Sequence, residues 1–266
     1  MGRVAIAMAW HELMERVRDR WVIVVTALFA LLSVGVTVYG GTAGEAAGVV
    51  TGPSLVTLCT FLVPLVALVL GHDAIVGERE RHTLGLLLSL PVSRAEVLFA
   101  KFIGRAMALC LAIGVGLGSA AIFLGPGQRH LVLTLLPTTL LLGVSFLSIG
   151  MLISVVTRRN ATAASLAVVV WFLLVFFYDL GLLAAMVGSD GALPQATVGW
   201  LVSLNPAGLY RTSLFVDLMG QTALEDLGLI VSLPGQGVRA LIWGAWILLP
   251  LGIGTLLLNR PTAVTS

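Results

Sequence analysis

Four charged residues in succession, Glu78, Arg79, Glu80 and Arg81, stand just ahead of a compact apolar stretch, Leu84–Leu90, which Pro91 ends. Charge followed by leucine is the make-up of a short amphipathic helix held parallel to a membrane, with ionised groups offered to a partner in the cytoplasm. Its chemistry is docking, not bond making. Candidates for bond-making chemistry elsewhere are few. The chain's single lysine, Lys101, sits between Ala100 and Phe102. A P-loop needs its lysine after a glycine-rich turn whose amides cradle phosphate, so any ATP driving this protein must be hydrolysed by a separate chain. The histidines are His11, His72, His82 and His130. No His-Glu-x-x-His occurs and no serine is flanked as Gly-x-Ser-x-Gly, which argues against an intramembrane enzyme.

Soft thiolate and thioether ligands select Cu(I). Met107 and Cys110 are three apart and share a helix face, Cys59 lies at similar depth in another segment, and Met151 and Met186 lie in two more. Without a Met-x-x-x-Met or Cys-x-Cys pair these residues read as packing, and no directly bound metal or cofactor is expected. Ionisable groups at membrane depth are costly and point to function. Asp179, beside Tyr178, is the clearest; it can line a path or pair with an arginine such as Arg211. His72 and Asp73 read as ordinary boundary residues.

The elements that carry these residues follow from composition. The 266 residues are 58% hydrophobic and only 11% charged, with a formal net charge of +2. A soluble domain carries about a quarter charged residues, so lipid must be the solvent for most of the chain, and nucleic acid is no partner. Glu12, Glu15 and Asp19 interrupt the first twenty residues, unlike a cleavable signal. About 20 apolar residues cross the hydrocarbon. Six segments qualify: Trp21–Tyr39, Ser54–Gly71, Val97–Leu124, Leu131–Val156, Ala161–Val187 and Leu241–Leu258. The expected fold is all-α, a polytopic membrane protein with six transmembrane helices in one domain over residues 1–266.

With the N-terminus inside, only Arg129, Arg211 and Arg239 of the fifteen basic residues fall outside. The positive-inside rule therefore puts both termini in the cytoplasm. Lys101 and Arg105 open the third segment, so its first two turns are expected to project into the cytoplasm. Upstream of the first, Ile6, Trp10, Leu13, Met14, Val17 and Trp21 recur at helical spacing opposite His11, Glu12, Glu15, Arg18 and Asp19, the pattern of an interfacial helix over 4–20. Arg158 and Arg159 make a tight inner turn and read as positive-inside anchors. The outer segment 188–240 stays fairly apolar and is broken by Pro194, Pro206 and Pro234, as short re-entrant helices would be. Gly104, Ala108, Ala112, Gly114, Gly116 and Gly118 give the third segment small residues for close packing.

Residues 78–94, ERERHTLGLLLSLPVSR, resemble the loop between the second and third spans of type-2 ABC transporter permeases, E-R-E-x-G-T-L-x-x-L-L-S-x-P-V-S-R. The match covers Glu78, Arg79, Glu80, Thr83, Leu84, Leu87, Leu88, Ser89, Pro91, Val92, Ser93, Arg94 and the following Lys101. It departs at His82, where the family has glycine, and at Gly85. The resemblance implies a coupling helix over 78–91 seated in a groove of a partner ABC ATPase. It implies a second copy of the chain as well. Within the family, Asn205, Pro206, Tyr210 and Arg211 of the NPAGLYR stretch, with Phe215, Asp217 and Leu218 after them, are most similar to the NosY-like branch that serves copper-site assembly of nitrous-oxide reductase. That branch implies a NosF-like ATPase, which binds ATP and Mg2+, and a periplasmic β-helical partner of NosD type, at a bacterial inner membrane. Its alternative is a generic exporter permease for drugs or lipids.

Overall fold

Each of the six apolar segments becomes one long helix or a pair of consecutive ones, because in hydrocarbon every backbone N–H and C=O must find a partner within its own segment. A computed structural model describes residues 2–42, 47–83, 85, 92–125, 129–190, 192–219 and 233–259. The order is α1 (Arg3–Val17), α2 (Arg20–Gly41), α3 (Ala47–Gly71), α4 (Val76–Glu80), α5 (Arg94–Phe123), α6 (Arg129–Val156), α7 (Asn160–Phe172), a π turn (Leu173–Phe177), α8 (Tyr178–Gly188), α9 (Gln195–Leu204), α10 (Pro206–Met219) and α11 (Gln236–Leu258). No strand occurs among the described residues. Six spans are long and apolar enough to cross a membrane: α2, α3 running on into α4, α5, α6, α7 through α8, and α11.

The sixth helix in this order, α6, is the axis of the bundle. Sixty-seven per cent (67%) of its apolar window lies inside the protein, against 17% for α2 and 11% for α7–α8. Lipid is as apolar as leucine, so the bundle is held by close packing and polar contacts, not by water exclusion. One close approach is glycine on glycine. A Cβ at Gly71 of α3 would lie 2.9 Å from the Gly150 Cα of α6. Gly116 of α5 receives the Phe29 ring of α2, whose nearest atom would be 2.0 Å from an added Cβ.

The small residues of α5 thus divide. Gly104 and Gly116 are contact points, whereas nothing lies within 4 Å of a Cβ at Gly114 or Gly118.

Helices α9 and α10 follow the fifth span, and Asn205 separates them. Leu209, Tyr210 and Leu214 of α10 are fully buried. The Tyr210 hydroxyl meets Thr139 of α6 at 3.0 Å, and the Trp246 indole of α11 donates to the Leu204 carbonyl at 2.9 Å. Residues 220–232 lie outside the described part.

Candidate functional site

Ser154 of α6 fixes the start of the charged segment. Its hydroxyl accepts from the Ile75 and Val76 amides at 2.8 and 3.0 Å, two donors that α4 leaves unpaired at its own N-terminus. From there Glu78 turns inward. Its carboxylate takes the Lys101 ammonium of α5 at 2.9 Å and the Thr83 hydroxyl. Arg79 donates to the Thr157 carbonyl at 2.6 Å, and Glu80 accepts the Asn160 amide at 2.8 Å, so the 157–160 turn is strapped to the same segment. Glu80, Arg81 and His82 remain exposed. All four charges at 78–81 were expected to face a partner; three of them, Glu78, Arg79 and Glu80, are already engaged within the chain. His82 takes a φ of 57°. That left-handed conformation is where glycine is at ease and a histidine is not, which accounts for glycine in the family pattern. Leu84, Leu87, Leu88, Ser89 and Pro91 lie outside the described residues. Beyond them, Ser93 and Glu96 form a reciprocal capping box at the head of α5, and Arg94 donates to the Leu258 carbonyl at 2.7 Å.

Lys101 and Arg105 do not project into water. They are 4% and 1% exposed. Helix α1 lies along α5 and covers them, and Gly104 permits this: an added Cβ there would come within 2.5 Å of the Ala9 carbonyl. The face of α1 turned to the protein is Ala5, Ala9, Glu12, Leu13 and Arg16. Ile6, Trp10 and Val17 point away, exposed, as an apolar face meeting lipid would be. Glu12 therefore leaves the solvated face assigned to it and becomes 3% exposed. Its carboxylate receives Arg105 Nε at 2.6 Å, Lys101 Nζ at 2.9 Å and Arg16 Nε at 3.4 Å. Asp73 completes the cluster, pairing with Arg105 and with Arg16 at 3.2 Å. Arg105 also donates to the Leu70 carbonyl.

Arg16, Lys101 and Arg105 thus gather the carboxylates of Glu12, Asp73 and Glu78 where α1, the end of α3, α4 and α5 meet, and Asp19 adds a fourth, more exposed carboxylate 3.6 Å from Arg16. Burial pushes the Glu12 carboxyl up, but Arg105, Lys101 and Arg16 outweigh it and hold the group down at about 2. A depressed carboxyl stabilises the folded arrangement above the ordinary carboxylate range, and that contribution fades only as pH falls toward about 2. Asp73, read from the sequence as a boundary residue, is one of the cluster's members.

At the far end of the bundle, the π turn widens the fifth span and frees the Leu174 carbonyl, which accepts the Asn205 side-chain amide at 2.6 Å. Asn205 Oδ1 in turn caps α10 at the Ala207 amide, 3.0 Å away, while Pro206 opens the helix where no N–H is required. Tyr178 donates to the Leu201 carbonyl at 2.5 Å, and Arg211 pairs with Asp179. Helices α9 and α10 are thereby pinned to the fifth span at three polar points. Asp217 stands apart, on the wall of a cavity of about 450 Å3 with Thr138, Ser213, Gln236, Arg239 and Trp243. Of the soft candidates, Cys59 is buried against Tyr210 and Thr139, and Met107 is exposed. Among the described residues no group of three histidine, cysteine or carboxylate side chains is placed to hold a metal.

Residues 6–261 match the family described as ABC-2 family transporter protein. The chain is 39% identical over 239 residues to the probable ABC transporter permease protein NosY of Pseudomonas aeruginosa, covering 85% of this chain and 86% of that one. It is 37% identical over 255 residues to the protein of the same name from Stutzerimonas stutzeri, covering 90% and 92%. The probable multidrug ABC transporter permease YbhS of Escherichia coli is 32% identical over 120 residues, 43% of this chain and 30% of that one.

Proposed function

The chain belongs to the ABC-2 family of transporter proteins as a NosY-like, multi-pass permease subunit, and from that premise we propose that it converts ATP hydrolysis by a separate ABC ATPase into work on the far side of the membrane. ATP and Mg2+ bind to the ATPase, and the permease binds no cofactor of its own. The observation that carries this reading is the fixing of the 76–83 segment. Its inner side is bonded to α5, α6 and the 157–160 turn, while Glu80, Arg81 and His82 stay exposed. A docking element has to be stiff on the side facing its own protein and open on the other. The segment is both.

The membrane is the bacterial inner membrane, with both termini in the cytoplasm. Two copies of the chain associate, their ATPases are NosF-like, and the outer helices α9 and α10 meet a periplasmic β-helical protein of NosD type. The work serves copper-site assembly of nitrous-oxide reductase. The span of the similarity favours this over a drug or lipid exporter, since the NosY relatives cover 85–90% of the chain and YbhS 43%.

The test is the double substitution Glu78→Ala with Glu80→Ala. It removes the carboxylates that hold the segment to Lys101 and to Asn160. The chain is expected to insert and to keep its ATPase, ATP hydrolysis to continue, and copper loading of co-expressed nitrous-oxide reductase to fall at least about ten-fold, which corresponds to roughly 1.4 kcal/mol of lost coupling. Full loading in that variant contradicts the assignment.

A further inference from the structure

Lys101 is the chain's only lysine, and its ammonium is shared by two carboxylates from different elements. Glu12 of α1 and Glu78 of α4 each lie 2.9 Å from Nζ. An ammonium has three donors and no directional fork, so it can hold two anions at once and pass a displacement of one to the other. Arg16 makes a second tie between the same partners, reaching Asp73 at 3.2 Å where the second span gives way to the charged segment. The side of α1 that touches the protein is thus attached near both ends of the 73–78 stretch. Around these ties the contacts are apolar or glycine-mediated, such as Ala9 against Gly104. The ion pairs resist separation, because parting them leaves buried charges without partners.

We infer that Glu12 is a positioning residue for Glu78, and that α1 is a working part of the coupling device which moves together with the docking segment. This rests on the reading of residues 76–83 as the place where an ATPase delivers its motion. Glu12 touches neither ATPase nor substrate; it acts through Lys101. An ATPase that displaces Glu78 must carry Lys101 with it, and α1 follows through Glu12. The head of the third span and the interfacial helix then shift as one body, and the exposed Ile6, Trp10 and Val17 make α1 the lipid-facing edge of that body.

The experiment uses the permease assembled with its ATPase in nanodiscs, with genetically encoded spin labels at the exposed positions Trp10 and Arg81, and measures their separation in nucleotide-free and ATP-bound states. In the otherwise unaltered complex the separation is expected to stay constant within about 2 Å, on the scale of the small helix shifts through which such devices act, while the distance from Arg81 to a label at Gln195 on the outer side changes. In Glu12→Gln with Arg16→Gln, ATP hydrolysis persists, the Trp10–Arg81 distance spreads, and the response at Gln195 drops at least about five-fold, the lower end of ordinary coupling strengths. The unaltered complex already decides the matter should that variant fail to fold. A Trp10–Arg81 separation that changes with nucleotide overturns the inference. So does a double variant whose Gln195 response is undiminished while Glu78→Ala with Glu80→Ala abolishes it; the docking assignment then stands and α1 is only an anchor. An undiminished response in both variants removes the docking assignment, and the role of α1 falls with it.

Discussion

Replacing Arg105 by methionine is expected to cost this protein more stability than any other single side-chain change. The substitution keeps an unbranched stem but removes the guanidinium, which leaves Glu12 and Asp73 facing each other with one shared cation fewer. Arg105 is 1% exposed, it bonds Glu12 Nε-to-carboxylate at 2.6 Å, and it also holds Asp73 and the Leu70 carbonyl. Removing one partner of a buried ion pair costs about 3–5 kcal/mol, because the remaining charge stays desolvated and unpaired. For a domain of this size that corresponds to a fall in melting midpoint on the order of 10 °C. Removing one carboxylate along with the cation is milder, since Lys101 then keeps Glu78 and Arg16 keeps Asp73. Arg105→Met combined with Glu12→Gln is therefore expected to recover part of the loss. Tryptophan-fluorescence melting of the detergent-solubilised protein measures both. A midpoint for the single variant within about 2 °C of the parent would show that the cluster holds nothing together.

The second large effect belongs to Gly71. A Cβ at this position would lie 2.8 Å from the Leu147 carbonyl oxygen and 2.9 Å from the Gly150 Cα, and from the other side a Cβ at Gly150 would lie 3.0 Å from the Leu68 carbonyl. All of these are backbone atoms, so no side chain can swing away to make room. Gly71→Val must push α3 from α6. Overpacking of this kind costs about 1–3 kcal/mol in ordinary cores and more where backbone meets backbone. Asp73 lies two residues on, so the displacement also pulls at the charge cluster. Little folded protein is expected from Gly71→Val by size-exclusion chromatography, with Gly71→Ala intermediate. Gly118→Val, where nothing lies within 4 Å of the new atoms' root, is expected to behave as the parent does. Equal yields of Gly71→Val and Gly118→Val would contradict the close packing of α3 on α6.

The spans were legible because hydrocarbon leaves so little choice: about 20 apolar residues, helical, with basic residues gathered at one set of ends. Partnership of ionisable groups was legible where the cost of isolation is plain. Asp179 in an apolar helix demanded a cation, and Arg211 supplies it. What the sequence concealed was the third face of α1. Leucine, tryptophan and isoleucine announced the lipid side, and Glu12 was then assigned to water by elimination. The missed signal is the run Ala5, Ala9, Glu12, Arg16, in which small residues recur at helical spacing and lead to an acid and a base; such a stripe marks contact with another helix. The same oversight sent Lys101 and Arg105 into the cytoplasm, although Gly104 lies between them on the contact side. Charge within an apolar helix was readable as a need for a partner, but not as the identity of that partner, since Glu12 and Arg105 are 93 residues apart. The Gly71–Gly150 contact was hidden for a related reason. Gly71 is far along α3 from Gly52, and Gly150 is two turns from Gly143 in α6, a sparser pattern than the run of small residues that drew attention to α5.

The account depends most on the exposed Glu80, Arg81 and His82 meeting an ATPase. A photo-crosslinking amino acid in place of the exposed Arg81, in the complex purified while hydrolysing ATP, tests this in one step. The expected product is a single adduct between this chain and an ABC ATPase subunit, absent when the same crosslinker replaces the exposed Tyr39 at the opposite end of the bundle. An ATP-hydrolysing complex in which Arg81 yields no such adduct would contradict the account.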